Sequence, residues 1–459
     1  MNLLKIGAIA LSIAAITACS SDDEKELNYG ELKFYNASSN SGAVDIVALE
    51  NDDKYYLASI DVFNTSPNYF PDVSDYELLV THQQPHVSEA ITLSQTPFSI
   101  TEDMLSLLVL NGEATTSELL SFTIDFSSVE TLISEDKSNE TQSFEIRALN
   151  LSQSYNDLSL YYSLGSAEFS EAQIVTSLGV KELSQPVVMP QGEYTFYLAD
   201  ANGTPMYQSA PINVEYQESY VLAIRDDLNG KNLVMDRFSK TSPVYHHYSQ
   251  IAPATLRFYQ SANALGDVDL YLGEVDNEPT LSSLTADVLS QSIVAMTGDI
   301  TMSLTAAGNP EEVLFDNSLL SLTHRDDKHV FFYQDDEQVT RSLVLDQYNH
   351  ISAFENHVTI VNLTAKEQPI NAYLVDSENS ISETPFHKDN VAFSEHVTLS
   401  SAQSQFEIVI TNTPSDQSSD QFIFAQSQLI DFSPNANYLV VVEPNSSTSS
   451  GYAVSVIKL

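Results

Sequence analysis

The sequence holds no tryptophan, a single cysteine, and only 18 lysines and arginines against 63 acidic residues. Each shortage excludes something. One cysteine supports no disulfide framework and leaves no thiol chemistry within a fold. A formal charge of −45 argues against nucleic acid, whose phosphates need Lys and Arg to displace their counterions. It also disfavours peripheral attraction to anionic lipid. Without tryptophan a stacking platform for sugars is weakened, although the 23 tyrosines could substitute. No Gly-x-Ser-x-Gly elbow, phosphate-binding loop or dinucleotide fingerprint occurs. No cofactor is implied, and catalytic carboxylate pairs do not stand out among so many acids. These absences point away from an enzyme.

Long apolar runs are scarce as well. The run from Ile6 to Ile16 follows Lys5 and is too short to span a bilayer as a stable anchor. It ends in Ile16-Thr17-Ala18-Cys19, which resembles the lipobox of bacterial lipoproteins. That resemblance implies removal of residues 1–18, alkylation of the Cys19 thiol by diacylglycerol and acylation of the new amino terminus. Two or three chains at about 0.8 kcal/mol per buried CH₂ make a lasting membrane anchor. The only cysteine in the chain stands at this position, which gives it one economical explanation. Residues 19–29 read as a tether, since Ser20-Ser21-Asp22-Asp23-Glu24-Lys25-Glu26 has nothing to bury. Gram-negative lipoproteins kept at the inner membrane usually carry Asp after the Cys. Ser20 stands there instead, which implies the outer membrane, on its periplasmic face or at the cell surface.

The remainder is too apolar and aromatic to be disordered, with 21 Phe beside the tyrosines. It is also too long for one core, and three or four domains are expected. The chain then repeats itself. Leu32-Lys33-Phe34-Tyr35-Asn36 and, later, Val44-Asp45-Ile46-Val47 are matched by Leu256-Arg257-Phe258-Tyr259-Gln260 and Val268-Asp269-Leu270-Tyr271. A second copy starts at Ile146 and continues at Leu158-Ser159-Leu160; a fourth starts at Val358 and continues at Ile370-Asn371-Ala372. Regular spacing of a degenerate signature marks tandem domains. Apolar and polar residues alternate within the copies, as in half-buried strands, and Gly192 to Leu198 and Gly298 to Leu304 occupy matching places. Each copy closes on an apolar strand: Leu105 to Leu110, Tyr220 to Ile224, Val330 to Tyr333 and Tyr438 to Val442. One helix signal, Leu281 to Ser292, interrupts the third copy.

Many short strands separated by turn residues predict an all-β chain of tandem immunoglobulin-like antiparallel β-sandwich domains. The hallmark core Trp and disulfide of true immunoglobulin domains are absent. The expected units are residues 30–138, 141–241, 253–348 and 356–459, with linkers near 139–141, 242–252 and 349–356. The opening strand, the Val-Asp-apolar-Tyr strand and the Gly-x-Tyr strand together resemble domain-of-unknown-function family 4397, whose sandwich repeats occur on secreted and surface-anchored bacterial proteins. The third copy matches best, at Phe258, Asp269 and Tyr271. Copy two has Ser159 in place of the Asp, and copy four has Asn371 and lacks an evident Gly-x-Tyr strand. The resemblance brings no activity with it.

Asp45 and Asp269 are the sharpest recurrent polar residues. They read either as ligands for a cation or adhesion partner or, favoured here, as turn-capping acceptors of backbone N–H groups. Arg225-Asp226-Asp227 and Arg325-Asp326-Asp327 read as surface turns. Asp200-Ala201-Asn202-Gly203 and Asp227-Leu228-Asn229-Gly230 lack the glycine placement of a calcium loop and read as tight turns. His82 and His86 have zincin spacing but no Glu after His82, and Pro85 breaks the helix such a site needs. His246-His247 falls in a linker. No metal site emerges; weak Ca²⁺ binding where acids of adjoining domains meet is the one metal interaction the composition admits. The expected protein is a non-catalytic, membrane-anchored lipoprotein with a structural, adhesive or envelope-binding role toward an envelope or extracellular protein or glycan. The alternative is a hydrolase or carbohydrate-binding subunit with a loop-built site.

Most acids have no cation to pair with and repel one another, which opposes the compact state. Raising NaCl from 0.01 to 0.15 M shortens the screening length from about 30 to about 8 Å. Residues 20–459 are therefore expected to melt at higher temperature as NaCl rises through this range. A melting temperature indifferent to NaCl would mean that the charges are locally compensated.

Overall fold

A computed structural model describes residues 28–459 apart from 52, 85–86, 128, 130, 132–141, 167, 262–264, 276–277, 348–349, 367–368, 378, 403, 414–420 and 434–435. The lipobox residues Ile16, Thr17, Ala18 and Cys19, most of the tether, and the first and last expected linkers at 139–141 and 349 lie wholly or partly outside the described residues.

Four copies of one two-sheet unit follow each other, so the chain is an all-β succession of sandwiches. In domain 1 one sheet is ordered Glu31–Asn36, Leu105–Asn111, Glu118–Ile124, and the other Asp53–Ile60, Val44–Glu50, Asp75–His82, Ile91–Ser99. Domain 2 has Val187–Pro190, Ser143–Asn150, Ser219–Asp226, Leu233–Ser239 and Tyr245–Tyr248 over Gln173–Gly179, Asp157–Leu164, Gly192–Ala199 and Pro205–Gln208. Domain 3 has Ile293–Ala295, Ala254–Gln260, Asp327–Gln334 and Thr340–Asp346 over Leu281–Leu284, Val268–Leu272, Gly298–Ala306 and Asn309–Leu322. Domain 4 has His396–Ser401, Asn356–Asn362, Asn437–Pro444 and Tyr452–Lys458 over His387–Val391, Ile370–Val375, Gln405–Asn412 and Ile423–Gln426.

The sandwiches are not wholly antiparallel. In every copy the opening strand pairs in parallel with the closing strand, aligning Phe34 with Leu108, Ile146 with Tyr220, Phe258 with Val330 and Ile360 with Val440. The chain leaves the first sheet, builds the second and crosses back, so it re-enters the first sheet running in its original direction. Parallel neighbours need such a long crossover, whereas the hairpins around them stay antiparallel.

Two further expectations are corrected. The segment Leu281 to Ser292 is no helix: Leu281–Leu284 is a strand, Ser283 and Asp287 have φ of 54° and 63°, and Leu289 bridges to Tyr259. The left-handed residues interrupt any helical run. Domain 4 does possess the strand it seemed to lack, Gln405–Asn412, paired with Ile370–Val375. Phe406 there takes the place of Tyr194, fully buried in the domain core. Ser404 stands where domain 2 has Gly192, a place open to a side chain because a Cβ on Gly192 would meet only the Tyr194 ring, at 3.7 Å.

Each domain has its own core between its sheets, for example Leu256, Phe258, Leu270, Leu304 and Phe332 in domain 3. The opening and closing strands also bury their other face. Tyr35, Leu107 and Val109 of domain 1 pack with Leu149, Val221 and Phe238 of domain 2. Tyr259, Phe331 and Tyr333 of domain 3 pack with Val361, Leu439 and Val441 of domain 4. Two-sided burial explains why the closing strands are continuous apolar runs rather than alternating ones. Leu439 points into the joint and its neighbour Val440 into the core. In a free-standing sandwich Leu439→Ala would change stability by less than about 0.5 kcal/mol. Here it is expected to cost about 2–5 kcal/mol in urea unfolding, as a core leucine does.

Candidate functional site

The two joints carry related polar clusters. At the first, Tyr35 Oη donates to Asp236 Oδ2 at 2.6 Å, and Arg225 grips the same carboxylate through Nε at 2.6 Å and Nη2 at 3.2 Å. His246 Nδ1 lies 2.8 Å from Asp236 Oδ1, and the Arg225 guanidinium sits 3.4 Å above the Phe63 ring of domain 1. Burial opposes charge on Asp236, yet Arg225 and His246 hold its carboxyl below the usual carboxylate range. Lys33, also buried, donates to the carbonyls of Lys240 and Ser242 at 3.3 and 3.1 Å, and burial lowers it to about 8 against the pull of Glu218.

At the second joint Tyr259 Oη donates to Glu443 Oε1 at 2.6 Å, and Ser455 Oγ donates to the same oxygen at 2.7 Å. Tyr220 and Tyr438 hold equivalent places in their closing strands. Arg225 and Glu443 therefore occupy one position, five residues on from those tyrosines. Asp236 and Ser455 occupy another, opposite Ala223 and Val441. The ion pair of the first joint is replaced by a carboxylate and a hydroxyl. Burial raises the Glu443 carboxyl to about 6, although Tyr259, Ser261 and Ser455 donate to it.

These placements correct two expectations. Arg225 is no surface turn residue but a buried strand-end cation, and Asp226 accepts bonds from Ser152 Oγ and the Gln153 and Ser154 backbone. Asp327 is likewise buried, paired with Lys231 of domain 2 at 3.0 Å. His246 and His247 lie in the strand Tyr245–Tyr248 of domain 2 rather than in a linker. Nothing in their local sequence announces a joint, because their partners are more than 200 residues away or on another sheet strand.

Asp269 accepts from the backbone N–H of Ser283 at 2.8 Å and of Gly308 at 2.7 Å. Asn371 in domain 4 accepts from Asn390 N at 3.0 Å. Ser283 and Asn390 both have positive φ, 54° and 60°, so this position secures a kink in the adjoining strand. Ser159 instead meets Ser177 Oγ at 3.0 Å. Asp45 differs: it takes a 3.3 Å bond from Tyr56 Oη and lines a cleft of about 400 Å³. The turn at Asp200 is closed by its own carboxylate on the Asn202 and Thr204 amides, both at 2.9 Å.

The cleft lies between domain 1, the segment before domain 4, and domain 4 itself. Its walls include Asp45, Ser59, His82, His350, Glu355, His357 and Ser400. His82 Nδ1 is 2.9 Å from the Ala43 carbonyl, His82 Nε2 is 3.5 Å from Glu355, and the imidazole stacks on Phe354 at 5.0 Å. Burial disfavours charge on His82, but Glu355 and Ala43 outweigh it and raise its pKa. His350 and His357 lie 5.8 Å apart, and burial lowers both, His357 to about 4. His357 Nδ1 meets Ser400 Oγ at 2.7 Å. Among the described residues no His, Asp, Glu or Cys group is arranged to hold a metal ion, and no helix is long and apolar enough to cross a membrane.

The fold defines a protein of tandem β-sandwich domains. No family model matches the chain, and no curated protein matches it. Among solved structures it is similar to the Bacillus anthracis TIE protein, at 8% identity over 92% of this chain and 76% of that one, with a TM-score of 0.15. It is also similar to the tandem C2-type domains of Extended-Synaptotagmin 2, at 10% identity over 52% of this chain and 98% of that one, with a TM-score of 0.17. Likeness at that level transfers no site and no activity.

The Glu443 carboxyl is raised in the folded chain, so folding binds a proton there and its ionisation costs stability. That cost is absent below the ordinary carboxyl value and complete above about 6. Glu443→Gln is expected to stabilise the chain progressively over this interval, by up to about 2 kcal/mol at pH 7. Asp236→Asn has the opposite effect at pH 7, since it strands a buried guanidinium, and should cost about 3–5 kcal/mol. Urea unfolding of both variants from pH 4 to 7 measures these shifts.

Proposed function

We propose that this chain is a membrane-tethered, non-catalytic lipoprotein of the bacterial outer membrane. Its sandwich repeats, akin to those of family 4397, hold a binding surface at a set distance from the bilayer for an envelope or extracellular protein or glycan. The observation that carries this reading is the burial of the second sheet face at both joints, between domains 1 and 2 and between domains 3 and 4. Such joints turn a flexible string into stiff two-domain pieces, which suits a stalk or scaffold. The buried polar groups concentrate at these joints rather than around a ligand.

A loop-built hydrolase site is the second reading, favoured by the His357–Ser400 bond inside the cleft. Against it, an imidazole lowered to about 4 is a poor general base at neutral pH, where a value near the working pH serves best.

The membrane address rests on Cys19. In cells fed a clickable fatty acid, the full chain should take up label and fractionate with the outer membrane, and Cys19→Ser should lose both label and membrane association. Label persisting on the variant would end the lipoprotein reading and leave the domain architecture untouched.

A further inference from the structure

Domain 1 and domain 4 are far apart in sequence yet meet at the cleft, and they meet differently from the partners at the joints. Among the described residues none of the buried hydrophobic clusters spans these two domains. The contact is polar and small. Ala353 N donates to Asn40 O at 2.9 Å, Gln84 Nε2 donates to Phe354 O at 2.7 Å, and Phe354 lies on His82. A contact held by so few bonds is shifted by a small change in charge.

We propose that this contact is an acid-released latch, in which protonation of His350 and His357 parts domain 1 from domain 4 and leaves all four sandwiches folded. The charged and titratable groups facing the two imidazoles come from each wall. Asp45 comes from Val44–Glu50, His82 from Asp75–His82, and Glu355 from the segment entering domain 4; the strand His396–Ser401 offers the neutral Ser400. With His82 charged against Glu355, the cleft already holds one cation beside two carboxylates. Two more cations, 5.8 Å apart and shielded from water, would leave it with excess positive charge.

The direction follows from linkage. His350 and His357 are lowered in the latched form, so the latched form loses ground as pH falls below the ordinary imidazole value of about 6.5. His82 is raised, so its own protonation tightens the latch. Two groups act against one, and the latch is tightest near the ordinary imidazole value and weakens on further acidification. The device is independent of the membrane address, since every group in it lies in the folded domains.

Hydrogen exchange followed by mass spectrometry on the full chain in detergent micelles, corrected for intrinsic rates, tests it. Protection of the Ala353 amide should fall at least about tenfold between pH 6.5 and 4.5, while amides in the parallel strands, such as Leu108 and Val440, keep theirs. His350→Gln with His357→Gln should abolish that fall. If the double variant loses strand protection at pH 6.5, Gln84→Ala takes its place: it should lower Ala353 protection at both pH values and leave their ratio intact. Unchanged Ala353 protection on acidification, an undiminished fall in the double variant, simultaneous loss in the strands, or no effect of Gln84→Ala would each overturn the latch.

Discussion

The structure depends on the parallel pairing of opening and closing strands at the centre of one sheet in every copy. That pair is buried on both faces: one faces the domain's own core, the other the neighbouring domain. Tyr35 and Tyr259 hold the same place in the opening strands of domains 1 and 3. In domains 2 and 4 that place is taken by Leu149 and Val361. The alternation gives each joint one tyrosine and one aliphatic partner, with room for the hydroxyl to reach a carboxylate of the other domain. Burying a tyrosine without such a partner would cost the desolvation of its hydroxyl. Domains therefore associate as odd with even, and the pattern is carried by a single position per copy.

The scarce cations follow the same logic. In a chain with 18 of them, Lys33 and Arg225 are placed inside the first joint, and Lys240 binds Glu31 across it at 3.1 Å. Lys231 joins domain 2 to Asp327 of domain 3, and Arg325 lies 3.4 Å over the Tyr248 ring. Positive charge placed where acidic domains approach offsets their repulsion at the points where it would be strongest. Surface pairs elsewhere contribute little by comparison.

Much of the architecture was legible. Period-two alternation marks the strands, and the recurrence of Phe34, Phe258 and their successors marks the copies. The continuous apolar closing strands also carried a signal that was open to a stronger reading, since a strand apolar at every position must be covered on both sides. What stayed hidden was long-range pairing. Parallel register, the Arg225–Asp236 pair and the meeting of His82 with Glu355 link residues by topology alone, and no local pattern encodes them. The helix expected at Leu281 failed for a local reason, two left-handed residues that Asp269 and the turn stabilise. Similarity of sequence at Asp45 and Asp269 also misled, because one carboxylate is consumed by backbone amides and the other opens onto a cleft.

The two joints show what a change of two residues does to an otherwise shared interface. Arg225 with Asp236 closes its charge internally, and such a buried pair is stabilising only as long as both members remain. Placing Glu443 and Ser455 at the same positions removes the cation and leaves a carboxyl that burial drives toward its neutral form. The first joint therefore has no reason to respond to mild acid, whereas the second is stabilised by the added proton. The cleft between domains 1 and 4 responds in the reverse sense, because its imidazoles gain charge as Glu443 loses it. Acidification thus strengthens the joint between domains 3 and 4 while weakening the contact of domain 4 with domain 1. Rigid two-domain pieces joined by a weaker, oppositely titrating contact can change their arrangement without unfolding any of their parts.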